Sequence, residues 1–135
     1  MSRAVYPGTF DPFTDGHRDL VDRARRLFDH VTVLVAVNGE KRPSGTGPER
    51  VLAIGAVLPT GWQNVTVAAW SGLTAEYCRQ HGIGVAIRGV RNAVDGVREF
   101  QLAAMNESLG ITTLFMPARP ELAAVSSTAI RAGRR

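Results

Sequence analysis

Five short apolar runs recur along the chain, at residues 3–7 (RAVYP), 30–38 (HVTVLVAVN), 64–70 (NVTVAAW), 84–89 (GVAIRG) and 111–117 (ITTLFMP). Their length and their β-branched content predict strands. The segments between them carry a different period. In GHRDLVDRARRLFD, residues 16–29, the apolar positions Leu20, Val21, Ala24, Leu27 and Phe28 fall at i, i+1, i+4, i+7 and i+8, one face of a helix. PERVLAIGAVL reads as a helix behind a proline start, LTAEYCRQHG as a helix running to a glycine stop, and a further helix is expected from about Asp95 to Leu109. Near-continuous apolar strands alternating with amphipathic helices predict an α/β fold, a doubly wound parallel sheet of about five strands covered on both faces. No repeat, linker or low-complexity segment interrupts the alternation, and the one irregular stretch is the Gly- and Pro-rich NGEKRPSGTGP. A chain of 135 residues with this pattern is expected to form one domain, residues 1–135.

Charge narrows the class of ligand. The formal net charge is +4, most of the cation being arginine, which favours bidentate recognition of anions. Single-stranded nucleic acid would call for aromatics interleaved with those cations, and here the aromatics are few and scattered. A phosphate-rich small molecule is therefore expected rather than a polynucleotide. No run has the apolar length of a membrane span, and MSRAVYPGTF lacks the basic start and long apolar stretch of a secretory signal, so a cytoplasmic protein without a membrane partner is expected. The single Cys78 can form no internal disulfide and reads as a small apolar helix residue. In that setting the Asn-x-Ser/Thr triplets at Asn64 and Asn106 are not read as glycosylation sites.

The candidate chemistry lies in YPGTFDPFTDGH, residues 6–17, at the carboxyl end of the first strand, where ligands sit in doubly wound sheets. No Gly-x-Gly-x-x-Gly follows a strand and no P-loop occurs; GIGVAIRG has Ile87 where a third glycine would stand and precedes a strand. Pro7 and Pro12 fix φ, Gly8 is permissive, and Thr14 or Asp15 can cap a helix whose first turn contains His17. Free backbone N–H groups and the positive end of the helix dipole make such a turn an anion site. On spacing alone, a capped turn carrying a surface histidine explains the cluster equally well.

These residues resemble the first motif of the nucleotidylyltransferases, whose Thr/His-x-Gly-His signature is present as Thr14, Asp15, Gly16 and His17. Within that superfamily the sequence is most similar to the bacterial phosphopantetheine adenylyltransferases. The similarity continues through FDHV, Lys41, IRGVRNAVD and EFQLAAMN into VSSTAI, and so covers nearly the whole chain. It implies a Rossmann-like nucleotidylyltransferase fold and transfer of a nucleotidyl group from a nucleoside triphosphate to a phosphate acceptor, with release of pyrophosphate. Mg²⁺ would enter with the triphosphate, since the sequence shows no dedicated carboxylate cage. A homo-oligomer is implied as well. By the same resemblance Thr9 and the Phe10 backbone would contact phosphates, His17 would donate to the reacting α-phosphate, and Lys41 would bridge donor and acceptor. Arg88 would hold the acceptor phosphate, Arg91 and Glu99 would lie on the nucleotide side, and Ser126, Ser127 and Thr128 would meet the β- and γ-phosphates. Leu73, Met105 and Asn106 would line the acceptor. Apart from the resemblance, Lys41 reads as a solvated loop charge, Leu73 and Met105 as core, and Glu99 as part of a solvated helix face. Arg88 ends an apolar strand, where burial without an anionic partner would be costly.

The chain also departs from the family pattern. It stops at IRAGRR where the adenylyltransferases run on, it has Leu122, Ala123 and Ala124 where an aromatic-containing stretch is usual, and Arg98 replaces an aromatic. Three readings follow. The first uses ATP and 4′-phosphopantetheine to make dephospho-CoA; the second is a cytidylyltransferase using CTP and a small phosphate or phosphonate; the third is a non-catalytic nucleotide- or nucleic-acid-binding domain. The shortened end and altered base pocket favour the second, whereas Leu73, Met105 and Asn106, which lie where only the acceptor should matter, favour the first and give it a slight lead.

Overall fold

The structure is a computed structural model that describes residues 2–37 and 46–119, of which residues 93–96 and 98 are described by backbone alone. Five strands alternate with four helices: β1 Arg3–Gly8, α1 Asp15–Arg25, β2 His30–Ala36, α2 Gly47–Val57, β3 Val65–Trp70, α3 Thr74–His81, β4 Val85–Val90, α4 Ala93–Ser108 and β5 Thr112–Pro117. The sheet order is β3-β2-β1-β4-β5 and every pairing is parallel, as the alternation predicts.

Alternation of side chains assigns the two faces. Ala4, Tyr6, Val31, Val33, Val35 and Ile87 turn toward α1 and α2, meeting Leu20, Val21, Ala24 and Ile54. Val5, Leu34 and Ala86 turn the other way, beneath Ala75, Tyr77 and Cys78 of α3. Apolar side chains on both sides of β2 account for its unbroken apolar run, since a central parallel strand meets no water. Burial also pushes the Cys78 thiol up to about 11, in keeping with an apolar core residue.

Helix ends follow local chemistry where the chain supplies it. Thr46 caps α2 by accepting from the Glu49 N–H, and Gly82 closes α3 in the left-handed region at φ 66°. The end of α1 departs from expectation. The helix stops at Arg25, so Leu27, expected on its buried face, is 70% exposed. Ala24 O accepts from the Leu27 and Phe28 N–H groups, and the last helical carbonyl, Arg25 O, accepts at 2.7 Å from a residue far along the chain, the Asn64 side chain, which also reaches Phe28 O beyond the helix at 3.3 Å. α4 begins two residues before the expected Asp95 and ends one before Leu109.

The chain winds from β1 to β2 to β3 on one side and returns to lay β4 and β5 on the other, so the winding reverses beside β1. There β1 and β4 pair at only two positions, Ala4 with Val85 and Val5 with Ala86, against six between β1 and β2. The carboxyl halves of β1 and β4 are thus free to diverge, and the crevice between them is where such sheets take ligands. Leu34→Ala, at a fully buried site in the central strand pair, is expected to cost about 2–5 kcal/mol in urea unfolding.

Candidate active site

Thr14 stands in extended conformation just before α1 and caps it reciprocally with His17. The His17 N–H donates to Thr14 Oγ1 at 3.2 Å, and the Thr14 N–H donates to His17 Nδ1 at 2.9 Å. An imidazole here fills the place that Glu or Gln takes in the usual capping box. Because Nδ1 accepts, the neutral ring carries its proton on Nε2 and presents it as a donor. Burial, followed by the charges of Arg91 and Arg88, lowers the His17 pKa to about 4. The ring packs edge-on to Phe10 at 5.1 Å between centroids and lies 5.4 Å from Phe13.

Phe10 itself has φ 52°, an unusual backbone state for a bulky residue. Its ring is buried against Tyr6 and Phe13, with centroid distances of 5.2 and 5.4 Å, and lies across Gly8 so closely that a Cβ there would stand 2.8 Å from it. Ring burial holds the backbone in this state, and only glycine leaves room for the ring. Among the described residues the N–H groups of Thr9 and Phe10 donate to no backbone carbonyl.

Arg88 enters from β4. Its Nε and Nη2 donate to the two carboxylate oxygens of Glu99 at 2.8 and 2.9 Å, and its Nη1 donates to Pro7 O at 2.6 Å. The anionic partner that its burial requires is therefore found within the protein, on α4. A guanidinium has five N–H groups, so among the described residues two are left for a ligand. Glu99 is not a solvated helix charge; its side chain is 12% exposed and engaged bidentately. The hydrogen bonds and charge of Glu99 outweigh burial and raise the Arg88 pKa, which keeps the cation fully charged.

The other candidates fall in four groups. Arg91 follows β4 directly and lies near enough to bear on His17, so Thr9, Phe10, His17, Arg88, Arg91 and Glu99 gather around the β1/β4 crevice. Leu73 is exposed at the start of α3, where its carbonyl accepts from Trp70 Nε1. Met105 and Asn106 are not brought to the crevice: Asn106 lies two helical turns beyond Glu99, ~10 Å along α4, and its amide donates to Thr113 Oγ1 at 3.1 Å. Lys41, Ser126, Ser127, Thr128 and residues 122–124 lie outside the described residues, as does the side chain of Arg98. Arg119 pairs with Asp19 of α1 at 2.9 Å.

Sequence reasoning missed Arg50. This α2 residue is 7% exposed, and its Nη1 donates to Thr9 O at 2.6 Å and to Ala36 O at 3.3 Å. In PERVLAIGAVL nothing distinguishes it from a surface charge. Among the described residues no group of three or more His, Cys, Asp or Glu could hold a metal ion. The donor set of the crevice, one neutral imidazole and two guanidiniums, suits phosphate oxygens rather than a hard cation.

The state of His17 is measurable. Nitrogen-resolved NMR should find Nδ1 unprotonated and Nε2 protonated at neutral pH, with titration near 4. Its folded pKa lies below the ordinary 6.5, so the unfolded chain binds a proton first as pH falls. The stability tied to neutral His17 is then complete above about 6.5 and is lost progressively toward about 4. Urea midpoints across that window should fall more steeply in the native protein than in His17→Gln.

The model of the cytidylyltransferase-like family matches residues 5–133. A phosphopantetheine adenylyltransferase of Thioalkalivibrio sulfidiphilus is 48% identical over 131 residues, covering 95% of this chain and 81% of its own. That of Nitrosomonas eutropha is 45% identical over 133 residues, covering 97% and 80%. Among solved structures, a bifunctional NMN adenylyltransferase/ADP ribose pyrophosphatase from Francisella tularensis, complexed with AMP and a Mn ion, gives a TM-score of 0.65 at 13% identity over 98% of this chain and 41% of its own. That likeness is one of fold.

Proposed function

Since the chain belongs to the cytidylyltransferase-like nucleotidylyltransferases, and among them to the phosphopantetheine adenylyltransferases, we propose that it transfers AMP from ATP to 4′-phosphopantetheine, forming dephospho-CoA and pyrophosphate. The observation that carries this reading is a neutral His17 donor set beside Arg88 and Arg91 in the crevice where the sheet reverses. An acceptor phosphate, with its second pKa at about 6, is largely dianionic at neutral pH and attacks without a strong general base. One of its oxygens forms a bond to Pα as the bond from Pα to the bridging oxygen breaks and pyrophosphate leaves.

The residues then divide the work. His17 Nε2–H donates to an α-phosphate oxygen on which charge develops, and it gives up no proton in doing so. The two remaining N–H groups of Arg88 hold the acceptor phosphate while Glu99 fixes the plane of the guanidinium. Thr9 and the Phe10 N–H meet phosphate oxygens, and Arg91 serves the nucleotide. Lys41, Ser126, Ser127 and Thr128 are assigned to phosphates by the family resemblance alone. Mg²⁺ would be held by the triphosphate, whose charge it neutralises, and arrive with it. Leu73, Met105 and Asn106 are assigned to the acceptor by the family resemblance; Met105 and Asn106 stand away from the crevice, with Asn106 ~10 Å beyond Glu99 along α4, a distance that suits an elongated acceptor such as 4′-phosphopantetheine better than a small phosphate.

Exposed Val97, Phe100, Leu102 and Met105 on α4, with Leu109 just after it and Leu114 on β5, support a homo-oligomer, because an apolar area of this extent is costly to leave in water. No helix among the described residues is long and apolar enough to cross a membrane. A cytoplasmic enzyme fits the uncovered substrate chemistry and the unpaired Cys78.

Pyrophosphate release with Mg²⁺ should be seen with ATP and 4′-phosphopantetheine and not with CTP and small phosphates or phosphonates; the reverse preference would overturn the substrate assignment. His17→Ala should lower turnover by roughly 10²–10³-fold, as for loss of other transition-state donors. An unchanged rate would remove His17 from the reaction.

A further inference from the structure

We propose that Arg50 is a positioning residue for this reaction, fixing the direction of the Phe10 N–H by holding the other end of its peptide unit; the inference rests on the adenylyl-transfer reading above. Arg50 Nη1 reaches Thr9 O at 2.6 Å and Ala36 O at 3.3 Å, so one guanidinium ties the exit of β1 to the exit of β2. The Thr9 carbonyl and the Phe10 N–H belong to one planar trans unit, and the two bonds point in opposite directions. Gripping the oxygen from the α2 side aims the N–H away from α2. Arg88 does the same two peptide units earlier, since its Nη1 takes Pro7 O at 2.6 Å and thereby fixes the Gly8 N–H. The loop from Pro7 to Phe10 is thus held by two guanidiniums arriving from different elements.

Stability alone accounts poorly for Arg50. It is 7% exposed, no ion pair joins it to a carboxylate among the described residues, and its buried Nε has no acceptor there. A buried cation so placed is costly, and apolar replacement of buried charges is often tolerated or stabilising. Its geometry is explained by what it grips. A cation on the Thr9 carbonyl also polarises the peptide and makes the Phe10 N–H a stronger donor. It further opposes relaxation of Phe10 from φ 52° toward the ordinary negative region, because that rotation would swing the Thr9–Phe10 unit off the guanidinium. No other described side chain reaches the Thr9 carbonyl.

The test compares Arg50→Lys and Arg50→Met with the native full chain, with kcat expressed per folded molecule from circular dichroism and KM measured for both substrates. Arg50→Met should lose about 100-fold in kcat, as for a missing transition-state donor, and Arg50→Lys about 10-fold, because an ammonium is a compact, strongly hydrated point charge on a flexible stem and holds the two carbonyls less firmly when buried. KM for 4′-phosphopantetheine, held by Arg88, should change less than about 3-fold in both. The amide resonance of Phe10 should shift on addition of inorganic pyrophosphate to the native protein and shift less in Arg50→Met. Losses that follow the folded fraction, or a Phe10 amide equally responsive in all three proteins, would overturn the positioning role. A native chain that turns over nothing, yet whose Phe10 amide answers pyrophosphate only when Arg50 is present, would overturn the substrate reading and uphold the positioning.

Discussion

The reversal of winding beside β1 is the constraint on which the site depends. A strand flanked by parallel neighbours on both sides must release its chain at the carboxyl edge, and here its partner β4 pairs with it for two residues only. The exits of β1 and β4 therefore part around one crevice and border it from its two sides. One exit leads into α1, whose first turn carries His17, and the other into α4, whose second turn carries Glu99. Arg88 spans the gap between them by bonding to both sides, to Pro7 of β1 and Glu99 of α4. A doubly wound sheet yields this arrangement whatever the ligand; the imidazole and guanidinium donors at the two exits are what suit it to an anion.

Electrostatics at the crevice separates charge from donation. Arg88 and Arg91 supply the positive field that draws phosphates in, and the same field, added to burial, keeps His17 neutral. A neutral donor suits nucleotidyl transfer, because pyrophosphate is a competent leaving group and needs no proton from the enzyme. Its tautomer must still be fixed, since a ring with its proton on Nδ1 would turn a lone pair toward the phosphate. The Thr14 N–H prevents that by occupying Nδ1. The cap of the helix and the tautomer of the His17 ring are thus set by one interaction.

The sequence displayed the parts whose signal is local. Strand runs, the proline and glycine boundaries of α2 and α3, and the placement of His17 in a first turn all follow from residues a few positions apart. The parts it concealed depend on residues that meet across elements. Leu27 was misjudged because the end of α1 is set by Asn64, with no glycine or proline to mark it. The Arg88–Glu99 pair joins a strand to a helix, and a carboxylate in EFQLAAMN looks like any solvated helix charge. His17 as a capping acceptor had no legible signal either, because such boxes are recognised by Glu or Gln. Asn106 was assigned through resemblance, and the bond to Thr113 is visible only once α4 lies on β5.

Local costs in this fold are concentrated rather than spread. A bulky residue at positive φ, a buried guanidinium nitrogen without an acceptor, and a histidine held neutral by burial all occur at or against the loop from Pro7 to His17. Backbone strain of the kind at Phe10 costs of order 1–3 kcal/mol and persists only where the surroundings enforce it. What enforces it here is the large apolar face behind the loop, where Tyr6, Phe10, Leu20 and Ile87 are buried in one cluster with α1 and α2. A loop relieved of these costs would relax, and its N–H groups would find carbonyl partners or water instead of waiting for phosphate. The core of the sheet thus acts on the loop directly: its stability is what keeps the Thr9, Phe10 and His17 donors in a fixed arrangement, the preorganisation that the proposed phosphate contacts require.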